Sequence, residues 1–222
     1  LLHNPDAGLF LPPGLGKTAI VLQTFTWLQK TKAANKLFVV APIRVAHLVW
    51  PEEIRKWSNF SHLKIVILHG ASKEKKLLED ADIYVINPEG LKWFSKKVDT
   101  FFEGNRWALI IDESSNFKNG RSQRFKMLKK WSDVFQRRVI LTGTPAPNGL
   151  INLWSQIYIL DQGKRLGKFI TAFRNRYFYP TGYMGYDFRL QNGADQRIYD
   201  SINDVVMHKG REEIDMPELM NN

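Results

Sequence analysis

The 222-residue sequence contains no cysteine. Disulfide scaffolds, thiolate zinc sites and cysteine nucleophiles are therefore excluded. No apolar run approaches 18 residues, which argues against a membrane span, and no signal-peptide pattern opens the chain. The five histidines (His3, His47, His62, His69 and His208) are scattered without metal-ligand spacing, and no Ser/His/Asp arrangement is arguable. There is no internal repeat and no low-complexity segment. Acids are outnumbered: 22 Asp+Glu stand against 32 Lys+Arg, a formal net charge of +10 that points to an anionic partner such as nucleic acid or nucleotide phosphate. The first residue is Leu1 and not Met, so the sequence reads as a piece of a longer polypeptide. What is present in quantity is apolar material, 44%, ample for a packed core.

Short apolar runs at 9–11, 37–41, 63–68, 83–86, 107–111 and 139–141 alternate with amphipathic segments at 17–30, 45–57, 73–80, 88–96 and 122–131. Several runs are apolar throughout, as in strands buried on both faces of a parallel sheet. The alternation predicts a doubly wound α/β domain. Pro51 should kink or restart the second helix. Beyond about residue 160 the texture changes: a helix at 165–176, an aromatic hairpin or ordered loop at 177–190 that includes Tyr177, Phe178, Tyr179, Tyr183 and Tyr186, and a helix at 195–207 with Asp195 as N-cap. The tryptophans at 27, 50, 57, 93, 107 and 154 mostly fall at core spacing. Residues 1–160 are read as one domain and 161–222 as an extension.

Three loops carry chemistry. Gly14-Leu15-Gly16-Lys17-Thr18-Ala19 follows an apolar strand and opens a helix. Glycines let the backbone curl around phosphates, the helix N-terminus adds partial positive charge, Lys17 reaches the β- and γ-phosphates, and the Thr18 hydroxyl holds Mg²⁺. The full pattern wants Gly where Leu11 stands, and the same glycines also suit a plain strand-to-helix turn carrying a surface lysine. Asp112-Glu113 ends a buried strand about 95 residues after Lys17. Asp112 suits Mg²⁺ and Glu113 suits a general base for water, although strand-end acids also serve solubility alone. Thr142-Gly143-Thr144-Pro145 follows another apolar strand and forms either a hydroxyl-bearing γ-phosphate loop or an ordinary turn.

Taken in order, GLGKT, IIDE and LTGTP resemble motifs I, II and III of superfamily 2 helicases and translocases. LFVVAPIRVAHLVWPEEIRKW and YVINPEGL resemble motif Ia and the Ib region of the Swi/Snf-like branch, and IIDESSNFKN and LTGTPAPNGLINLWSQIYIL its motifs II and III. RLGKFITAFRNRYF is similar to the segment that follows in compact phage and bacterial members. The resemblance implies a three-layer, RecA-like, P-loop NTPase first domain of a two-domain motor, with a mostly parallel central sheet and a helical and hairpin extension. It implies ATP and Mg²⁺ as cofactors, held by the 14–19 loop and by Thr18 and Asp112. Lys17, Asp112 and Glu113 would be catalytic. Thr142, Gly143 and Thr144 would couple nucleotide state to grip on double-stranded DNA. Pro42, Arg44 and Asn87 would lie towards the DNA backbone.

Nonspecific motors grip phosphates, so the basic residues Arg44, Lys118 and Arg124 are added as DNA contacts. Lys118 and Arg124 belong to a stretch, 116–138, with eight basic residues and one acid; Lys164, Arg165, Lys168, Arg174 and Arg176 form a second cluster. Either cluster also suits a solvated helix face. The implied partners are duplex DNA, a second RecA-like domain beyond Asn222 and a nuclease or other DNA-processing protein, in the cytoplasm of a bacterial or phage-infected cell, at the nucleoid. There are departures. Ser114-Ser115 replaces the Ala-His of motif II, and that His normally links motif II to motif III; the upstream adenine-reading Gln is absent. Without the second domain's arginine finger, worth roughly 10³–10⁵ in rate, the fragment should bind ATP weakly and turn over slowly. A strand-separating repair or restriction helicase motor and a non-hydrolysing ATP-binding scaffold are the alternative readings; a small-molecule kinase would need an acceptor-binding lid, for which the sequence gives no support.

Overall fold

The computed structural model describes residues 1–147, 149–182 and 187–208. The chain runs β1 (Asp6–Phe10), α1 (Lys17–Lys30), β2 (Lys36–Val40), α2 (Ile43–Lys56), β3 (Ile65–Ile67), α3 (Lys73–Lys76), β4 (Ile83–Ile86), α4 (Leu91–Phe94), α5 (Val98–Phe101), β5 (Trp107–Asp112), α6 (Gln123–Trp131), β6 (Phe135–Thr142), α7 (Leu153–Asp161), α8 (Ile170–Tyr177), β7 (Phe178–Thr181), β8 (Asp187–Leu190), α9 (Ala194–Ile202) and β9 (Val206–His208). Seven strands form one sheet in the order β3-β4-β2-β5-β6-β1-β9, and all its pairings are parallel. β7 and β8 make a separate antiparallel hairpin.

The unbroken apolar runs become strands with two buried faces because successive side chains point to opposite sides. Leu37 and Val39 of β2, with Ala108 and Ile110 of β5, pack under α1 and α2. Phe38 and Val40, with Trp107, Leu109 and Ile111, pack on the other side with α4, α6, α7, α8 and α9. The result is the three-layer arrangement that the alternation predicts. β6 is longer than its apolar centre because it is paired on both sides, with β5 and with β1.

α1 forms as expected. α2 runs unbroken through Pro51, although that residue supplies no N–H to the carbonyl of His47. Its buried stripe, Ala46, Trp50 and Ile54, recurs every four residues and holds it to the sheet. The expected helix at 88–96 splits into a 3₁₀ turn, Pro88–Gly90, and α4, and the one at 73–80 shrinks to α3, which buries nothing. Trp27 and Trp57 are exposed, 42% and 44%, which corrects their placement in the core; Trp50, Trp107 and Trp154 are buried.

The tail departs most from expectation. Gly193, with φ 65°, and not Asp195 caps α9. The helix expected to reach Met207 ends at Ile202, and β9 joins the sheet beside β1, with Gly8 opposite Val206. Asn203, Asp204, Val205 and Val206 are poor helix formers, and a strand there satisfies the β1 edge. Phe173, Tyr177, Ile198 and Ile202 share one apolar cluster with Ile140 and Leu160. Tyr183, Tyr186 and the acidic residues at the end of the chain lie outside the described residues.

An ionic clamp fastens this tail. Asp161, 1% exposed, accepts from Gly163 N (2.8 Å), Arg165 N (3.0 Å) and Arg165 Nη1 (3.3 Å). Arg165 also donates from Nε and Nη2 to the two carboxylate oxygens of Asp204, just before β9. Asp204 foremost, with Asp161, raises the Arg165 guanidinium above its ordinary value, and Arg165 in turn lowers Asp204.

Candidate active site

Three neighbouring strands deliver the three motif loops to one edge of the sheet. The register places Phe10 of β1 beside Thr142 of β6, and Leu141 of β6 beside Asp112 of β5. The loops that follow these residues are therefore adjacent, at the carboxyl ends of parallel strands, where such sheets bind ligands.

The first loop turns on two glycines in left-handed backbone, Gly14 at φ 87° and Gly16 at φ 67°. An added Cβ would meet nothing at either position, so backbone angle and not crowding calls for glycine. Gly16 gives α1 no side-chain cap. The first amides of the helix, at Lys17, Thr18 and Ala19, are thus left for an anion. Lys17 Nζ donates to the carbonyls of Leu11 (2.7 Å) and Pro12 (3.0 Å), which hold it at the mouth of the loop. Burial lowers its pKa, while the charges of Asp112 and Glu113 pull it back up. The lysine and both carboxylates therefore share one electrostatic site, although the sequence separates them widely. Thr18 is buried, 8% exposed, one residue further on.

Asp112 is pushed above the usual carboxylate range chiefly by burial; a hydrogen bond from Trp50 Nε1 to its Oδ2 (3.0 Å) opposes this, and the charge of Glu113 adds to it. Such a carboxylate suits a divalent cation, which would reverse the penalty. Together, the Thr18 hydroxyl and the Asp112 carboxylate are the hard oxygen donors that Mg²⁺ takes.

Glu113 sits in left-handed backbone, φ 56°, uncommon for a residue with a side chain. Its Oε1 accepts from Thr142 Oγ1 (2.9 Å) and Ser115 Oγ (2.7 Å). Thr142 Oγ1 itself accepts from Thr144 N (3.1 Å). The hydroxyl loop thus holds the candidate base directly. Gly143 lets the two loops approach closely, since a Cβ would stand a tight 3.1 Å from Pro13 Cδ in the phosphate loop.

A second link joins the carboxylate loop to the hydroxyl loop. Ser114 Oγ donates to Gln156 Oε1 (2.6 Å), and Gln156 Nε2 donates to the carbonyls of Pro145 (2.5 Å) and Asn152 (3.0 Å). Gln156 is fully buried on α7, all nine residues of which are buried. The Ala-His pair expected at 114–115 is absent, yet the two loops are tied through Ser114 and Gln156. Sequence reasoning missed Gln156; its signal was an amide within an otherwise apolar stretch. It also missed that Trp50, read as plain core, aims its indole N–H at Asp112.

The residues assigned to DNA follow the same ends of the strands: Pro42 and an exposed Arg44 after β2, Asn87 after β4, and Lys118 and Arg124 after β5. Asn87 donates to Glu89 (2.8 Å), and Arg124 pairs with the same acid at 3.8 Å. One shared acid thus ties the β4 loop to α6.

A glycine phosphate loop, a strand-end Asp-Glu pair and a hydroxyl loop on one edge of a parallel sheet define a P-loop nucleotide-binding domain. Residues 6–210 match the family model described as SNF2-related domain. The chain belongs to the SNF2-related domain family. "Putative protein p41" of Acyrthosiphon pisum secondary endosymbiont phage 1 is 35% identical over 190 residues, 80% of this chain and 40% of that protein. "Helicase domino" of Drosophila melanogaster is 33% identical over 155 residues, 66% of this chain and 5% of that protein. The solved Sulfolobus solfataricus SWI2/SNF2 ATPase core in complex with dsDNA matches with a TM-score of 0.71 and 28% identity, over 92% of this chain and 40% of that chain. The chain thus spans well under half the length of these relatives. With the family come the RecA-like motor-domain fold and nucleotide binding.

Proposed function

We propose that this domain is the nucleotide-hydrolysing half of an ATP-driven motor that moves along double-stranded DNA. The observation that carries the reading is the bond from Thr142 to Glu113 within the electrostatic reach of Lys17. It joins a phosphate-binding lysine, a base for water and a loop able to sense the γ-phosphate. The triphosphate would lie on the α1 amides, with Lys17 exchanging its two carbonyl acceptors for β- and γ-phosphate oxygens. Thr18 and Asp112 would hold Mg²⁺, which supplies charge neutralisation across the β- and γ-phosphates. Glu113 would accept a proton from the attacking water through the oxygen that Thr142 and Ser115 leave open. Duplex would cross the edge carrying Arg44, Lys118 and Arg124, and a second RecA-like domain would close the site. The Sulfolobus relative solved with dsDNA supports this choice of partner.

The test is phosphate release by the intact polypeptide, with and without duplex, against Glu113→Gln. The variant is expected to bind ATP and to lose about 10²–10⁴-fold in duplex-stimulated rate. Equal duplex-stimulated rates would remove Glu113 from the role of base, and a wild type that releases no phosphate with duplex would point to the non-hydrolysing scaffold instead.

A further inference from the structure

A cavity of about 360 Å³ opens behind the carboxylate loop, between residues 118–121, the 151–152 turn and α8. Lys118, Arg121, Asn152 and Arg174 line it, and among the described residues no Asp or Glu does. Two buried donors there, Asn152 Nδ2 and Arg174 Nε, have no hydrogen-bond partner among the described residues. A buried donor without an acceptor is costly, so two on residues that line one cavity mark a place for a ligand rich in acceptors. Among the described residues neither Arg121 nor Arg174 enters an ion pair. Burial foremost, and the charge of Arg121 next, lower the pKa of Arg174. Two cations pressed together without an acid call for an anion.

The walls are held in place. Asn119 Oδ1 accepts from Arg121 N (2.9 Å), and a Cβ on Gly120 would stand 2.8 Å from the Trp154 ring. The Arg174 guanidinium lies over the Phe188 ring at 4.8 Å, on a helix anchored by the buried Phe173. Guanidinium forks match the oxygens of a phosphate. Basic residues also continue beyond the cavity along α6, with Arg124, Lys126, Lys129 and Lys130 and no acid in that helix, as a polyanion requires and a free phosphate does not.

We propose that this cavity seats one backbone phosphate of duplex DNA, held by Arg121, Arg174 and the Asn152 amide. The assignment rests on the DNA-motor reading above. It carries a consequence for coupling: the Asn152 carbonyl accepts from Gln156, which accepts from Ser114 beside the catalytic pair. A phosphate drawn into the cavity would pull on the residue that ties the two loops together.

The test measures binding of a labelled duplex to the intact polypeptide between about 50 and 200 mM salt, where each phosphate contact contributes about 0.9 to the slope of log affinity against log salt. Arg174→Gln is expected to flatten the slope by about that amount. Asn152→Asp places a carboxylate among the guanidiniums; it is expected to flatten the slope equally while raising Tm, which separates lost grip from lost folding. Lys30→Gln, an equal loss of charge on an exposed residue at the far end of α1, should leave the slope unchanged. A steep wild-type slope that survives both cavity variants overturns the cavity and leaves the DNA reading standing. A wild type that binds no duplex, or binds it without salt dependence, overturns both. Inorganic phosphate at constant ionic strength is the last arm: if it raises the Tm of wild type but not of Arg174→Gln, with the slopes unaltered, the cavity takes free phosphate and the duplex assignment is wrong.

Discussion

Asp112 at the end of β5 and Asp161 at the end of α7 are both withdrawn from water, and the protein treats them in opposite ways. Asp161 receives two backbone N–H groups and a guanidinium, and the same guanidinium grips Asp204. Its charge is answered in full and it locks the tail to the core. Asp112 has a neutral indole as its side-chain donor, one backbone N–H at Glu113 and the charge of Lys17 in reach, but a second carboxylate stands next to it and burial outweighs these partners. Its charge is answered poorly, so its pKa rises. A buried acid with good partners is structure. One left short of partners on the ligand edge of a sheet is suited to a cation. The chemistry of this domain is concentrated where the fold leaves charge unbalanced.

The sharpest way to break this comparison is to remove the partner of the satisfied acid. Arg165→Met should cost about 3 kcal/mol in urea unfolding, because it takes away the positive charge and leaves the buried Asp161 with backbone N–H donors alone. Adding Asp161→Asn should restore only part of that loss, because the amide removes the charge but keeps one acceptor for the two backbone N–H groups; a single variant as stable as wild type would show that the clamp holds nothing. Next in size is the link between the loops. Gln156→Leu leaves the Ser114 hydroxyl unanswered in the core and should cost about 1–3 kcal/mol. With Ser114→Ala added, the share of the loss owed to the hydroxyl should return, while the share owed to the Pro145 and Asn152 carbonyls remains and stimulation of ATP hydrolysis by duplex stays weakened; unweakened stimulation in the double variant would make Gln156 a packing residue only.

Asp112→Asn should do the reverse of the Arg165 change. It removes a poorly answered charge and keeps an acceptor for Trp50, so the unliganded protein should gain about 1 kcal/mol, read by urea unfolding. The same variant should lose the rise in Tm that Mg²⁺ and ATP together give the wild type. The smallest effect is one of pH. Arg165 holds the folded-state pKa of Asp204 below its unfolded value, so this carboxylate adds stability above about pH 4 and loses it as pH falls through the lowered folded value. Acidification should therefore narrow the gap in Tm between wild type and Arg165→Met; a constant gap would assign the clamp to shape and not to charge.

Much of this was legible in the residues. Apolar runs buried on both faces, broken by amphipathic segments, required a covered parallel sheet. Gly14 and Gly16 before Lys17 announced a phosphate loop, and Asp112-Glu113 after five apolar residues announced a strand end. The tail was harder to read, because β9 is three residues long and its pairing with Gly8 spans almost the whole chain. Helix periodicity in 195–202 ran on in the pattern, while Asn203 and Asp204 were ending it. The links through Trp50 and Gln156 were hidden for a related reason. A tryptophan at core spacing and an amide in an apolar helix give no local sign of a partner some 40 to 60 positions away.

By itself, then, the sequence determined which loops carry the chemistry, since composition, period and turn residues act over a few neighbours. Only the tertiary structure decided that β5, β6 and β1 lie side by side, and with that order which hydroxyl holds Glu113, which indole faces Asp112 and which guanidinium answers Asp161. Those contacts join residues far apart in the chain. Each forms only because packing on both faces of the sheet brings particular strand ends together, and no local pattern encodes that adjacency.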